Sequence, residues 1–218
     1  MMCERVPVTV VENFLRFPHA VKTRALEFEY TRAPDGRWPG VRTGQLRDIW
    51  PDLNSYVVRM VYHILGLDST AEIDVDMSFQ KVSKEFGDST PVIHTDGSAI
   101  AGILYLTETA DGSAGTNFYE PTKDFLPNEE LAMQKCKAMV ANDFELLRSL
   151  RNELNKNLKP TIKVSDVFNR LVLFDGKKYH AANGFDAEGG EDRLTLVFFL
   201  YVRNTSYPTQ RASLDSDM

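Results

Sequence analysis

The sequence contains four histidines, and one of them stands where metal chemistry can occur. His94 lies in Ile93-His94-Thr95-Asp96-Gly97. In extended backbone, residues i and i+2 project to the same side. The His94 imidazole and the Asp96 carboxylate are therefore predicted to share one space. Two ligands hold a divalent ion only weakly, and His180 offers a third. It follows the strand-like run Arg170-Leu171-Val172-Leu173-Phe174-Asp175 and a glycine turn. Two imidazoles and one carboxylate on one face of an octahedron leave three positions open, the ligand set of a non-heme Fe(II) centre. His19 and His63 fall on predicted helices outside any motif and are read as structural or solvated.

Arg193 and Thr195 repeat the same two-residue spacing on the last predicted strand. A guanidinium on an inward face needs an anion, because a buried unpaired charge is costly. Its planar fork matches a carboxylate, and the Thr195 hydroxyl adds a donor. An internal Asp or Glu is the alternative partner. With His94, Asp96 and His180 in the same chain, a bound acid is the stronger reading.

These side chains have to be positioned by ordered elements. The first seventy residues read as helical. Pro18 suits a first turn, with Val21, Ala25, Leu26 and Phe28 behind it. Leu53, Tyr56, Val57, Met60, Val61, Ile64 and Leu65 form one stripe between Pro51 and a Gly66 cap. The period then becomes two: Ile73, Val75, Met77 and Phe79 alternate with Asp74, Asp76, Ser78 and Gln80. Further strands are predicted at 100–107, 116–119, 171–175 and 193–202, separated by Asp-Gly and Gly-Gly turns. Both faces of the last strand are apolar, so the N-terminal helices are expected to cover its outer side. Asn128 can cap one or two helices between about 128 and 158.

The fold class expected is α+β. The core is a sandwich or jelly roll over 72–203, with an N-terminal helical segment 1–70 packed on one sheet. A mainly helical insertion is expected at 121–168 and a loose tail at 204–218, all within one domain 1–218.

Composition agrees with a globular chain: 218 residues, 43% hydrophobic and 26% charged. No run reaches the ~18 apolar residues of a membrane helix, and the first residues lack a secretory apolar stretch. A cytoplasmic protein with no membrane partner is expected. Cys3 and Cys136 are too few for a disulfide framework or a thiolate cluster. The net charge of −6 disfavours duplex nucleic acid as a partner.

The ordered set His94-Thr95-Asp96, His180 and Arg193-Leu194-Thr195 resembles the 2-oxoglutarate/Fe(II)-dependent dioxygenase superfamily, in its prolyl-hydroxylase-like small phage and bacterial type. Gly102-Ile103-Leu104-Tyr105-Leu106-Thr107 is similar to the strand after the metal motif in those members. Gly115-Thr116-Asn117-Phe118 is similar to their Gly-Gly-Thr-x-Phe stretch, with Ala114 where the first glycine often stands. The likeness runs from about 73 to 202. It implies a double-stranded β-helix, with Fe(II) held in one mouth by His94, Asp96 and His180. It implies 2-oxoglutarate on the iron through its 2-oxo acid end, with the distal carboxylate on Arg193, Thr195 and Tyr105. O2 is then the co-substrate and ascorbate a supporting reductant. The implied outcome is hydroxylation of a C–H bond with release of succinate and CO2, because the superfamily's halogenases lack the carboxylate ligand that Asp96 supplies.

Substrate contacts are expected outside that set. Trp38-Pro39-Gly40-Val41-Arg42-Thr43 is a loop with an aromatic and a cation, which makes Trp38 and Arg42 candidates for a clamp. Gln80 faces away from Phe79 and into the roll, and Asn183 follows His180 closely. An amino acid, a peptide side chain or a small metabolite fits as substrate, and the 128–158 helices are expected either to cover the active site or to form a homodimer surface. Two other classes stand beside the oxygenase. One is a cupin-like metal-dependent hydrolase or isomerase, from whose usual motif His94-Thr95-Asp96 departs. The other is a non-catalytic jelly-roll binding module.

Overall fold

A computed structural model of the chain describes residues 6–34, 38–67, 73–83, 93–107, 114–125, 128–141, 143–185 and 191–202. The tail from 204 lies outside them. Along the chain run β1 (Thr9–Val11), α1 (Pro18–Leu26), β2 (Val41–Arg42), α2 (Leu46–Ile49), α3 (Pro51–Leu65), β3 (Ile73–Val82), β4 (Ile100–Tyr105) and β5 (Gly115–Pro121). Then follow α4 (Glu129–Ala141), α5 (Phe144–Asn155), β6 (Leu158–Ser165), β7 (Leu171–Asp175), β8 (Tyr179–Ala182) and β9 (Arg193–Val202).

Pro51 opens α3, and Gly66 ends it in the left-handed region at φ 61°, where glycine carries no Cβ penalty. Its buried stripe of Leu53, Val57 and Val61 joins one cluster with Met77, Phe79, Leu171, Leu173, Leu196 and Phe198. Each such side chain contributes about 1.5–3 kcal/mol by leaving water. These sheet residues belong to the outer face of a six-stranded antiparallel sheet, ordered β1-β7-β4-β9-β3-β2. The N-terminal helices cover this face, as the two apolar sides of β9 require. Gly102 has a packing reason: a Cβ there would stand 2.1 Å from the Phe198 ring.

The inner face of the same sheet meets a three-stranded sheet ordered β6-β5-β8. Ala101, Tyr105, Val172 and Phe174 from the first sheet pack with Phe118 and Val164 from the second. Phe118 and Phe174 meet edge to face at 5.0 Å, a favoured aromatic geometry. Two antiparallel sheets closed on a shared interior form the double-stranded β-helix core.

Four strands differ from the sequence reading: β2 lies in the stretch 38–43 read as a loop, where Val41 and Arg42 pair with β3, and the others are β1, β6 and β8. β1 falls in the segment expected to be helical, where the β-branched run Thr9-Val10-Val11 pairs with the edge of β7. β6 falls in 121–168, so that segment holds two helices and then rejoins the minor sheet beside β5. Pro160 sits at the irregularity opposite Phe118 and Tyr119, on an edge strand where a missing N–H is tolerated. β8 is short and forms by pairing with β5. The Asn128 cap is present, its Oδ1 accepting the Leu131 N–H at 3.0 Å.

Candidate metal centre

The hairpin between β7 and β8 brings the candidate ligands together. Asp175 closes the turn by accepting the Lys177 N–H at 2.9 Å. The Gly176 carbonyl accepts the Asp96 N–H at 2.6 Å. Gly176 is needed there, since a Cβ would lie 2.4 Å from the Ser98 carbonyl oxygen. Past the turn, His94 N–H donates to the His180 carbonyl at 3.0 Å and His180 N–H returns the bond at 2.9 Å. Residues directly opposite on antiparallel strands share a face. Both imidazoles therefore point into the roll, and Asp96 joins them from two residues along.

His94, Asp96 and His180 each present one ligand atom, and these atoms lie within 4.8 Å of one another. Asp96 reaches His94 Nε2 at 3.8 Å and His180 Nε2 at 3.4 Å. The side chains grade from 42% exposed at His94 through 15% at Asp96 to 6% at His180, so the cluster opens to solvent on the His94 side. His180 Nδ1 lies 2.8 Å from the Lys178 carbonyl. A carbonyl only accepts, so Nδ1 carries the proton and the Nε2 lone pair faces Asp96. Burial, with His94 adding to it, pushes the His180 pKa down to about 3. The imidazole is held neutral, the form that binds metal. Phe174 and Phe118 wall it at 4.6 and 6.3 Å between ring centroids. Burial lifts the Asp96 pKa above its ordinary value, opposed by His94 and Arg42. A desolvated carboxylate facing the neutral His180 imidazole and the second imidazole of His94 is a donor set that suits a divalent cation.

Register places the other candidates on one row. Arg42 is opposite Gln80, Gln80 opposite Thr195, and Thr195 opposite Tyr105. Opposite residues share a face, so all four line the inside of the large sheet. Arg193 is buried at 5% exposure with its guanidinium 5.1 Å from the Tyr105 ring. It lies 3.6 Å from Asp166 and 3.4 and 3.5 Å from the Gly184 and Gly115 carbonyls. These separations are at or beyond the long end of hydrogen bonding, so the fork is only loosely engaged. The Tyr105 hydroxyl bonds the Thr116 hydroxyl at 2.8 Å.

Trp38, Arg42 and Gln80 come together. Arg42 stacks on Trp38 at 4.3 Å and donates to Gln80 Oε1 at 3.3 Å. Gln80 Nε2 donates to the Pro39 carbonyl at 2.8 Å, so Gln80 holds the loop and the guanidinium. Asn183 lies on the other flank, its backbone N–H on the Gly115 carbonyl at 2.9 Å. Sequence reasoning missed Asp166, Thr116 and the Lys178 carbonyl. Thr116 was within reach, because alternation along 116–119 puts it on the same side as Phe118. Asp166 had no local signal.

The sequence matches the profile of the Family of unknown function (DUF6445) over residues 1–200. The chain belongs to this family. No curated protein matches it. Solved structures nonetheless share the DUF6445 chain's fold. HygX from Streptomyces hygroscopicus, with nickel, 2-oxoglutarate and hygromycin B bound, superposes at a TM-score of 0.59 and 11% identity, covering 91% of this chain and 84% of HygX. A Trichoplax adhaerens prolyl hydroxylase, in complex with a hypoxia inducible factor peptide, gives 0.54 and 13%, covering 89% and 83%. SnoN, a non-heme alpha ketoglutarate dependent epimerase from nogalamycin biosynthesis, gives 0.53 and 12%, covering 94% and 84%. The DUF6445 chain thus has the double-stranded β-helix of 2-oxoglutarate/Fe(II) oxygenases.

Proposed function

We propose that this chain is a 2-oxoglutarate- and O2-dependent non-heme Fe(II) oxygenase that hydroxylates a C–H bond of a small molecule or peptide. The observation that carries it is the convergence of His94, Asp96 and His180 within 4.8 Å, on the interior that also holds the buried Arg193. The solved structures of HygX with iron and with nickel and 2-oxoglutarate support the same reading.

The residues fit the groups they would hold. The two imidazoles and one carboxylate would hold Fe(II) and leave open positions on it. Arg193 Nε is buried without a hydrogen-bond acceptor, and the fork is loosely engaged, so a distal carboxylate improves its bonding. Thr195 and the Tyr105 hydroxyl would complete that end. When bound, iron and 2-oxoglutarate supply the O2 activation and the oxidising power, with succinate and CO2 as by-products.

The chain supplies placement. The Lys178 carbonyl keeps the proton on His180 Nδ1, so the ring is aimed without rearrangement. Phe118 and Phe174 exclude water behind it. The exposed His94 side is the approach left for substrate. A cupin-like hydrolase would have no need of Arg193 with Thr195, and a non-catalytic binding module would have no need of the His94, Asp96 and His180 cluster.

The test is succinate release from labelled 2-oxoglutarate with Fe(II), ascorbate and O2. Turnover is expected in the unaltered protein and is expected to vanish in His94→Ala. In Arg193→Lys the 2-oxoglutarate KM should rise, because the ammonium cannot reproduce the fork. Failure of 2-oxoglutarate to bind the Mn(II) form would overturn the reading.

A further inference from the structure

We propose that Arg42 and Trp38 form a recognition site for an oxyanion, a carboxylate or phosphate, carried by the substrate oxidised at the metal centre. This rests on the oxygenase reading and adds to it the chemical class of the substrate.

Arg42 sits on β2, at the edge of the large sheet, opposite Gln80. Its side chain turns inward over the aromatic faces of Trp38 at 4.3 Å and Phe199 at 5.6 Å. Gln80 takes one guanidinium nitrogen and is itself fixed by Pro39. What remains is unusual for an interior. Arg42 Nε and Trp38 Nε1 are both buried, and neither has a hydrogen-bond acceptor. Buried donors in folded proteins are nearly always satisfied. Two open donors side by side, one of them on a cation, mark a place where an acceptor with several oxygens belongs. A carboxylate or phosphate offers one oxygen to the guanidinium edge and another to the indole N–H.

Charge points the same way. Asp96 is the carboxylate whose field acts on Arg42. A metal ion on Asp96 takes up that charge, and Arg42 is then a buried cation paired with a neutral amide. Such a cation needs an anion from outside the chain. The arrangement separates two acids in one roll. Arg193, Thr195 and Tyr105 take one at β9 and β4, and Arg42 takes the other at β2. An anion held at Arg42 lies on the inner face of the large sheet, in the same cross-strand row as Gln80, Thr195 and Tyr105.

The test uses the full chain saturated with Mn(II) and 2-oxoglutarate, with calorimetric titration of benzoate, phenyl phosphate and neutral benzamide. Benzoate, phenyl phosphate or both are expected to bind saturably, at least about tenfold more tightly than benzamide, as loss of charged hydrogen bonds implies. Arg42→Gln should weaken the bound anion by about the same factor. Preference for benzoate identifies a carboxylate, and preference for phenyl phosphate a phosphate. If Arg42→Gln does not fold by circular dichroism, Trp38→Phe keeps the ring and removes the N–H, and should weaken the anion by several-fold. Equal binding of benzamide, or anion binding untouched in both variants, overturns the proposal. Binding of 2-oxoglutarate to the Mn(II) form is scored separately. If 2-oxoglutarate binds and the anions do not, the Arg42 site falls alone. If 2-oxoglutarate does not bind, yet the anions bind and depend on Arg42, the oxygenase reading falls and the anion site stands.

Discussion

The backbones of His94 and His180 hold each other through two reciprocal hydrogen bonds, 3.0 and 2.9 Å long, and their rings lie 4.4 Å apart. The pair is an isolated bridge that joins His94, outside the named strands, to His180 in β8. A metal ion on both imidazoles and Asp96 would therefore clamp the 93–98 segment to β8.

Metal should stabilise this chain measurably. A ligand that binds only the folded state contributes about 2.7 kcal/mol at a concentration a hundredfold above its Kd. Thermal melts with excess Mn(II) and with a chelator should differ by several degrees, and the difference should disappear in His94→Ala. An unchanged melting temperature in the unaltered protein would count against the site.

Acid should weaken the metal-free protein through His180. Its folded pKa of about 3 lies below the ordinary histidine value near 6.5. Between those values the unfolded chain takes a proton that the folded chain refuses. Stability is then fully present above the unfolded pKa and falls as pH drops toward 3, by at most about 1.4 kcal/mol per pH unit from this group. Urea unfolding in chelator across that range measures the slope, and His180→Gln should flatten it.

Arg193 and Asp166 form a buried pair at 3.6 Å, 5% and 2% exposed. Removing one member of such a pair costs about 3–5 kcal/mol. Arg193→Ala should therefore unfold at lower denaturant even without cofactors. Arg193→Ala combined with Asp166→Ala should recover part of that loss, and a double-mutant cycle reads the coupling.

Asn169 ties the N-terminal segment to the core. Its side chain accepts the Leu15 N–H at 2.8 Å and donates to the Leu15 carbonyl at 2.9 Å, while its own N–H bonds the Tyr105 carbonyl at 2.8 Å. It does this from a left-handed φ of 63°, a conformation asparagine tolerates. Asn169→Ala leaves two buried backbone groups at Leu15 without these partners and should cost about 2–4 kcal/mol. Asn169→Gly keeps the backbone freedom but not the two bonds, so it should rescue little. Equilibrium unfolding of both variants decides this.

Local pattern was enough for much of this molecule. The α3 stripe and its Gly66 cap, the alternation along β3, and the outlines of β7 and β9 were legible because helix and strand periods repeat over neighbouring residues. The pairing of His94 with Asp96 was legible for the same reason, since two-residue spacing in extended chain is a local fact. Tertiary structure decided the rest. β1, β6 and β8 are short or at edges, and they are strands because a neighbour supplies their hydrogen bonds. The meeting of Asp166 with Arg193, the hold of the Gly176 carbonyl on Asp96, and the row from Arg42 to Tyr105 all depend on register between distant strands. Register is set by which faces the whole core buries, and no single segment of sequence carries that information.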